Sequence, residues 1–190
     1  KDATGLDARQ IRSTGVAHIP EDRISTGVSG PSSILENLII GKERKREFSV
    51  KGIHLRQSSI RRYADDLFKK FDIRGAGVDT RVDSLSGGNM QKVVVAREFS
   101  YDTPILVISQ PTRGVDIGAM EFIHNKIVEK RNNGAAILLV SADLDEVFRL
   151  SDRIITMYEG RITGEFNSGE ISKMEIGYYM TGDRREGNDE

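Results

Sequence analysis

The chain has 190 residues, enough for one domain or slightly more, and it contains no cysteine. Disulfide bonds, thiol nucleophiles and cysteine-ligated zinc are therefore excluded, and the composition fits a reducing compartment. Its 28 Lys and Arg residues balance 29 Asp and Glu residues to a net charge of -1, so no whole-chain field favours nucleic acid or an anionic membrane. The apolar runs are far shorter than the ~18 residues of a membrane span, and the first ten residues lack the apolar core of a signal peptide.

The first third of the chain predicts a strand, a loop and one ambiguous apolar element. Gly15–Pro20 predicts a short strand that the proline ends, and the Gly- and Ser-rich segment Glu21–Pro31 predicts a loop. Ser33–Ile40 is apolar enough for a helix or a buried strand, and periodicity does not separate the two. The charged segment Gly41–Ser59 predicts a solvated loop, with a partner-facing surface as the alternative.

Two helices are predicted in the middle of the chain. From Ser59 onwards apolar side chains recur at helical spacing with charged side chains opposite, which indicates an amphipathic helix that glycines end. The sequence Ser86-Gly87-Gly88 then precedes Asn89–Phe99. The run Val93-Val94-Val95-Ala96 within it predicts a helix that is buried on more than one face.

The C-terminal half alternates strands with helices. Ile105–Ile108 and Ala136–Val140 predict buried strands of a parallel sheet. Asp116 is placed to cap a helix that runs through Arg131, and Asp143 has capping-box spacing to Glu146 for a shorter one. This order predicts an α/β fold with right-handed crossovers. The remaining predictions are a hairpin of Ile154–Tyr158 with Arg161–Phe166 and a disordered tail at 183–190.

The segment Leu85–Lys92, LSGGNMQK, carries the strongest chemical signal. A hydroxyl and two glycines at a helix N-terminus present unpaired N–H groups, the positive end of the helix dipole and room for close backbone approach. Such a terminus suits a phosphate-type anion. The alternative is a helix cap that binds nothing, and Ser-Gly-Gly alone favours that alternative.

Two later segments change this balance. About twenty residues further on, a predicted strand ends in Ser109–Thr112 and continues as Arg113–Asp116, and a second predicted strand ends at Ser141–Asp143. In this company the sequence resembles the nucleotide-binding domain of ABC transporters. Residues 85–92 match its signature motif, 105–112 its Walker B strand, Asp116 its D-loop and 141–146 its switch region. Across residues 5 to 182, the sequences PEDR at 20–23, QPTRGVD at 110–116 and MTG at 180–182 resemble the second domain of tandem ATPase subunits for sugar or nucleoside uptake.

The resemblance implies a fold, cofactors and partners. The expected fold is a RecA-like P-loop NTPase-type parallel sheet, with a partial ABC ATPase domain over residues 1–182 and a helical signature subdomain over about 30–100. The expected cofactors are ATP and Mg²⁺. The expected partners are a second nucleotide-binding domain of the same parent chain and transmembrane permease subunits, with no nucleic acid, on the cytoplasmic face of the cell membrane.

The sequence also departs from the family pattern. It contains no G-x-x-x-x-G-K-[ST] motif, so the N-terminal phosphate-loop portion is expected to be missing. Ser109 stands where the family has its Mg²⁺-binding Asp, and a neutral hydroxyl is a poor anchor for that cation. Gln110 stands at the catalytic Glu position, where it can orient a water but cannot accept its proton at neutral pH. By the same resemblance, Ala142 takes the place of the switch histidine and Glu21 that of the Q-loop glutamine.

These departures lead to a hypothesis about shared sites. Ser86, Gly87, Gly88 and Asn89 would clamp the γ-phosphate of ATP in a site whose Walker motifs lie in the partner domain. Gln91, Asp116 and Glu21 complete the expected nucleotide-binding set, while the chain's own site would be degenerate and the isolated fragment inactive. The competing function is a soluble ABC-type ATPase that acts on nucleic acid or the ribosome, which the near-neutral charge and few aromatic residues disfavour.

Three weaker expectations complete the picture. Without a neighbouring phosphate-loop strand, Ala136–Val140 would expose an unpaired edge, so the fragment is expected to oligomerise or swap strands. His18, His54 and His124 are widely spaced and are expected to be structural or solvated rather than metal ligands. Arg113 could contact a phosphate or form an ordinary salt bridge.

Overall fold

The structure, a computed structural model, describes residues 2–183. All but the first residue of the tail predicted at 183–190 therefore lies outside the described range. The chain divides into two compact units, Lys1–Leu138 and Leu139–Glu190. The elements in chain order are α1 Ala8–Ser13, β1 Val16–Ile19, α2 Ile34–Ile39, β2 Ser49–Val50, β3 His54–Leu55, α3 Gln57–Lys70, α4 Gly87–Phe99, β4 Ile105–Ser109, α5 Ile117–Asn132, β5 Ala136–Val140, α6 Leu144–Leu150, β6 Arg153–Tyr158, β7 Arg161–Asn167 and α7 Lys173–Thr181.

The predicted parallel sheet is present, with the strand order β1-β4-β5. β1 lies parallel to β4, and Ile19 is the register partner of Ile108. The side chains of Ile19, Leu106 and Ile108 are fully buried, so one face of β4 lies in the core. This arrangement places the carboxyl ends of β1 and β4 at the same edge of the sheet.

The prediction that β5 is a buried strand is wrong in its burial. Leu138 is 58% exposed and Val140 is 50% exposed, although the strand itself forms where it was expected. β5 is the last strand in the β1-β4-β5 order, so its outer edge has no partner strand within residues 2–183. Residues 136, 138 and 140 are exposed while 137 and 139 are half-buried, so one face of the strand lacks cover.

The helices of the first unit follow the sequence closely. α4 is buried continuously from Gln91 to Phe99, which confirms a helix buried on more than one face. It lies against β1, α2 and α5. α2 resolves the ambiguous apolar segment as a helix, because Ser33 and Glu36 form a reciprocal capping box that a strand could not use. α3 begins at Gln57 and buries Ile60, Ala64 and Leu67, as the amphipathic pattern predicts.

Two segments predicted as loops contain ordered structure. Residues 23–27 form a single π-helical turn, which Asp22 caps by accepting from the N–H groups of Ile24 and Ser25. Within Gly41–Ser59, β2 and β3 form a short antiparallel hairpin, and residues 57–59 already belong to α3. Phe48 is 1% exposed and anchors this segment to the core, which explains why it is not a solvated loop throughout.

The second unit contains the predicted hairpin and short helix. β6 pairs antiparallel to β7, with Tyr158 opposite Arg161. The two turn residues between them, Glu159 and Gly160, both have positive φ, as a tight hairpin turn requires. Asp143 caps α6 by accepting from the N–H groups of Asp145 and Glu146, which confirms the predicted cap. Among residues 2–183, no helix is both long enough and apolar enough to cross a bilayer.

Lys42, which belongs to the charged run, lies in the core of the first unit. Its side chain is 2% exposed, and its ammonium group donates to the hydroxyls of Tyr63 and Ser100. The ammonium also lies 4.2 Å from the centroid of the Tyr101 ring. Burial, with a contribution from the positive charge of Lys45, lowers the pKa of Lys42 to about 7.

This environment makes the stability of the protein depend on pH. Between pH 7 and 9 the unfolded chain keeps the Lys42 proton that the folded chain loses, so the free energy of unfolding rises with pH, by at most about 1.4 kcal/mol per unit. The Lys42→Met variant should lack this part of the slope, whereas Lys69→Met, at an exposed lysine of α3, should leave it in place. Urea unfolding at several pH values measures the difference, and equal slopes for both variants would contradict the account.

Candidate functional site

Polar residues converge at the edge of the sheet where β1 and β4 end. Ser109 is the last residue of β4, and Glu21 follows β1 after a proline. The guanidinium of Arg113 donates to a carboxylate oxygen of Glu21 at 2.5 Å. Of the two roles left open for Arg113, the structure therefore contains the salt bridge. This bridge ties the residue at the Q-loop position to the segment that follows β4.

The segment Gln110–Asp116, here called the 110–116 loop, turns sharply away from the strand. Gln110 has a φ of 47°, a left-handed conformation that costs a non-glycine residue about 1 kcal/mol or more. The N–H of Arg113 donates to the carbonyl of Gln110, and the N–H of Val115 donates to the carbonyl of Thr112. Two consecutive turns therefore fold the loop back from the strand, and it ends at the cap of α5.

The beginning of α4 presents hydrogen-bond donors. Ser86 is the N-cap residue, and its hydroxyl oxygen accepts from the N–H and the side-chain amide of Asn89, at 3.4 and 3.0 Å. The side-chain oxygen of Asn89 accepts from the N–H of Arg74 at 2.8 Å, so this amide is engaged within the chain. The N–H groups of Gly87 and Gly88 lie in the first turn, where a helix has no acceptors of its own. Ser86 is exposed, Gly87 is half-buried and Gly88 is buried.

The two glycines allow α4 to approach the 110–116 loop closely. A Cβ atom on Gly88 would lie 2.7 Å from a carboxylate oxygen of Asp116 and 2.9 Å from the Cβ of Ala119. A Cβ atom on Gly87 would lie 2.7 Å from the guanidinium of Arg23. Asp116 cannot easily move, because its other oxygen caps α5 by accepting from the N–H of Ala119 at 2.9 Å. The predicted cap is confirmed, and it fixes one wall of the cleft beside the signature.

Arg23 and Gln91 hold the loop against α4. Arg23 donates to the backbone carbonyls of Arg113 and Gly114, at 2.5 and 3.1 Å. Gln91 is 2% exposed, and its amide donates to the carbonyl of Pro111 at 2.8 Å. Gln91 therefore supports the loop from beneath. Sequence reasoning gave Arg23 no role: the signal was the PEDR motif, but its contacts lie about ninety residues away along the chain.

Ala142 lies in the second unit, on the short connection between β5 and α6. The N–H of Asp143 donates to the hydroxyl of Ser141 at 3.0 Å, so the connection makes a local turn before α6 begins. The structure thus connects Glu21 to the 110–116 loop through Arg113 and brings Gly88 against Asp116 at the end of that loop. Ala142 is positioned within its own unit only.

The sequence of the chain is similar to import ATP-binding proteins. No protein-family model matches it. It is 39% identical over 182 residues to the nucleoside import ATP-binding protein NupA of Lactococcus lactis, 38% over 182 residues to the guanosine import ATP-binding protein NupO of Bacillus subtilis, and 40% over 184 residues to the glucose import ATP-binding protein TsgD13 of Haloferax volcanii. Each alignment covers 96% of this chain but only 33 to 36% of the relative, so the chain spans about a third of their length.

Solved structures supply the fold. A nucleotide-free ATP-binding cassette from an ABC transporter matches with a TM-score of 0.71 at 22% identity, covering 95% of this chain and 70% of that one. A dimeric ATP-binding cassette in a post-hydrolysis state, bound to ADP and Pi, matches with a TM-score of 0.70 at 19% identity, covering 88% of this chain and 70% of that one. The chain has the ABC ATPase fold, and import ATP-binding proteins are its homologues.

The ABC ATPase fold gives a test of which ligand groups these residues fit. The free N–H groups of Gly87 and Gly88 and the Ser86 hydroxyl fit the oxygens of a phosphate. The edge of the sheet fits Mg²⁺ poorly, because Ser109 is neutral and residues 2–183 contain no group of three or more His, Asp or Glu side chains placed to hold a metal. The beginning of α4 therefore suits a phosphate, whereas the end of β4 suits Mg²⁺ poorly.

Substitution of the signature glycines tests the close approach. Gly88→Ala should destabilise the fold by about 1–3 kcal/mol, because neither Ala119 nor the capping carboxylate can retreat. Gly87→Ala should cost less than about 1 kcal/mol, since the end of the Arg23 side chain can move aside. Gly177 of α7 has open space around its Cβ position, so Gly177→Ala is the matched control and should stabilise by about 0.5–1 kcal/mol. Urea unfolding measures all three, and a neutral Gly88→Ala would refute the steric argument.

Proposed function

We propose that the chain completes an ATP site held mainly by a second nucleotide-binding domain, within an ABC importer of sugars or nucleosides. The observation that supports this most directly is the start of α4, where exposed Ser86 precedes the first-turn N–H groups of Gly87 and Gly88, in a sequence that contains no phosphate-loop motif. The relatives' names add the solute class, since they are import proteins for nucleosides, guanosine and glucose.

The proposed roles follow the geometry of the first unit. Ser86, Gly87 and Gly88 contact the γ-phosphate of an ATP molecule whose other contacts come from the partner. Asn89 fixes the start of α4 through its hydrogen bonds with Ser86 and Arg74. Gln91 supports the 110–116 loop through its hydrogen bond to the carbonyl of Pro111. Asp116 caps α5 at the end of the 110–116 loop. When the partner domain moves against this loop, the movement would be passed to β4, because the loop is the direct continuation of that strand.

The chain's own site is proposed to be degenerate. Ser109 at the magnesium position supplies no charge to balance the phosphates. Gln110 at the base position can orient a water molecule but cannot take its proton. Glu21 pairs with Arg113 at the surface, which offsets part of the charge that it could offer to a metal ion. Magnesium and ATP would therefore be bound through the Walker motifs of the partner domain.

The proposed location is the inner face of the cell membrane, beside transmembrane permease subunits. In such an assembly, ATP draws the two nucleotide-binding domains together, and hydrolysis in the partner's site releases them. The chain then affects the rate of ATP hydrolysis by stabilising the closed pair of domains, and it does not itself break the phosphate bond. Ala142, at the switch position, adds no ionisable group to this chemistry.

The signature serine gives the direct test in the assembled ATPase. Ser86→Arg fills the space of the phosphate with a side chain and should lower the ATP turnover number at least about tenfold, within the range expected when one charge-stabilising contact is lost. ATP binding by the partner's Walker motifs should change much less. Ser172 is also an N-cap serine, of α7, so Ser172→Arg is the matched control. Unchanged turnover in Ser86→Arg, or an equal loss in both variants, would refute the proposal.

The degenerate site gives a second test, on the isolated chain. Ser109→Asp combined with Gln110→Glu restores the family's acidic pair but not a phosphate loop. We expect no ATP hydrolysis above background from either the parent chain or the double variant, because a base and a metal ligand without a phosphate cradle leave the γ-phosphate unplaced. Release of phosphate measured over hours decides this. Turnover by the unaltered 190 residues would contradict the degenerate site.

A further inference from the structure

The β2–β3 hairpin and the turns before it form the most basic segment of the chain. Between Lys42 and Arg56 lie six of the 28 Lys and Arg residues and only two of the 29 Asp and Glu residues, so acidic residues outnumber basic ones in the remainder. A cavity of about 590 Å³ opens beside the hairpin. Four cationic side chains line it, and no acidic one does: Arg44, Arg46, Lys51 and Arg56.

These four cations are not neutralised by the protein. Within residues 2–183, none of them forms an ion pair or a side-chain hydrogen bond, although Glu43 and Glu47 are close in sequence. Some exposed arginines elsewhere are paired, as Arg61 is with Asp79 and Arg81 with Asp83, but the unpaired ones in the described part of the chain are not gathered around one cavity. Unpaired like charges around one cavity repel each other, and a bound anion would relieve that repulsion.

Exposed aliphatic side chains accompany the cations. Ile53 is 76% exposed, Leu55 48% and Val50 43%. The N–H of Ile53 donates to the carbonyl of Val50, and the two residues between them, Lys51 and Gly52, both have positive φ. The chain thus forms a tight turn although Lys51 must adopt a left-handed conformation. This turn leaves Ile53 exposed to solvent at the end of the hairpin.

This combination distinguishes between classes of anionic partner. Proteins that bind single-stranded nucleic acid pair cations with exposed aromatic rings for base stacking. Phe48, the aromatic residue of this segment, is 1% exposed and packs on Tyr63 with ring centroids 4.9 Å apart. Cations beside exposed aliphatic side chains are the pattern of a membrane surface, where headgroups meet the acyl chains.

We infer that the β2–β3 hairpin binds the headgroups of anionic phospholipids, with Arg44, Arg46, Lys51 and Arg56 around the phosphates and Ile53 at the acyl boundary. The inference goes beyond the proposed function, which places the chain next to a permease but assigns it no contact with lipid. It needs no nucleotide and no partner domain. The two proposals can therefore fail separately.

Vesicle binding by the 190-residue chain tests the inference. The partition coefficient onto vesicles of about one-third phosphatidylglycerol in phosphatidylcholine should exceed that onto pure phosphatidylcholine, and should fall as salt rises toward about 0.5 M. Each cation near such a surface contributes about fivefold, so changing all four to Gln should lower the coefficient at least about thirtyfold. Ile53→Ser should lower it severalfold at constant charge.

Matched variants separate this site from general charge effects. Arg9, Arg62, Lys69 and Arg149 are exposed, form no ion pair among the described residues and give the same charge change when replaced by Gln. Ile162 is 62% exposed and controls for Ile53. Both control variants should bind vesicles within about threefold of the parent chain, and circular dichroism should show that every variant is folded.

Three results would overturn the inference. The first is absence of binding to anionic vesicles at low salt. The second is an equal loss of binding in the hairpin variant and its charge-matched control. The third is binding of the chain to a single-stranded oligonucleotide or an acidic peptide in a salt-sensitive way, where the four-Gln hairpin variant loses this binding but still binds vesicles as the parent chain does.

Discussion

Gly88 brings the beginning of α4 against Asp116 and Ala119 at a distance that a Cβ atom at this position would not allow, and a Cβ atom on Gly87 would displace the end of the Arg23 side chain. This close contact between α4 and the loop determines the geometry of the candidate site. Because Asp116 caps α5 and also forms the wall beside Gly88, the position of one helix start determines that of the other. Arg23 closes the same contact from the opposite side, through two backbone carbonyls of the loop. The signature is therefore a rigid surface held by its own chain before any ligand arrives.

The same glycines serve both structure and binding. Their missing side chains make room for Asp116 and Arg23, and their N–H groups, in the first turn of a buried helix, are left without acceptors. Ser109 and Gln110 offer neither a carboxylate for a metal ion nor a base at neutral pH. The proposal that the phosphate is held mainly by a second domain rests on this contrast between the start of α4 and the end of β4.

Local physics explains which parts of the fold were predictable. The valine-rich run predicted the buried α4, and Asp116 and Asp143 predicted two helix starts, because caps and periodicity are encoded within a few residues. Contacts between distant segments could not be predicted in this way. Arg23 meets the 110–116 loop only after β1 and β4 pair, and the PEDR motif around Arg23 does not indicate which distant residues it contacts. Lys42 was expected in a solvated loop, since its neighbours are charged, but a site formed by three distant hydroxyl and aromatic side chains buries it. The role of each site residue is a proposal, because a family motif identifies a position in the sequence but does not identify the ligand that is bound there.

A structure of the assembled complex, trapped with a non-hydrolysable ATP analogue, tests the central claim most directly. The account predicts that the γ-phosphate held by the partner's Walker motifs lies within hydrogen-bonding distance, about 3 Å, of the Ser86 hydroxyl and the Gly88 N–H. It also predicts that the bonds of Arg23 and Asp116 to the loop and to α5 are unchanged from those described here. A γ-phosphate bound without contact to Ser86, Gly87 or Gly88 would contradict it.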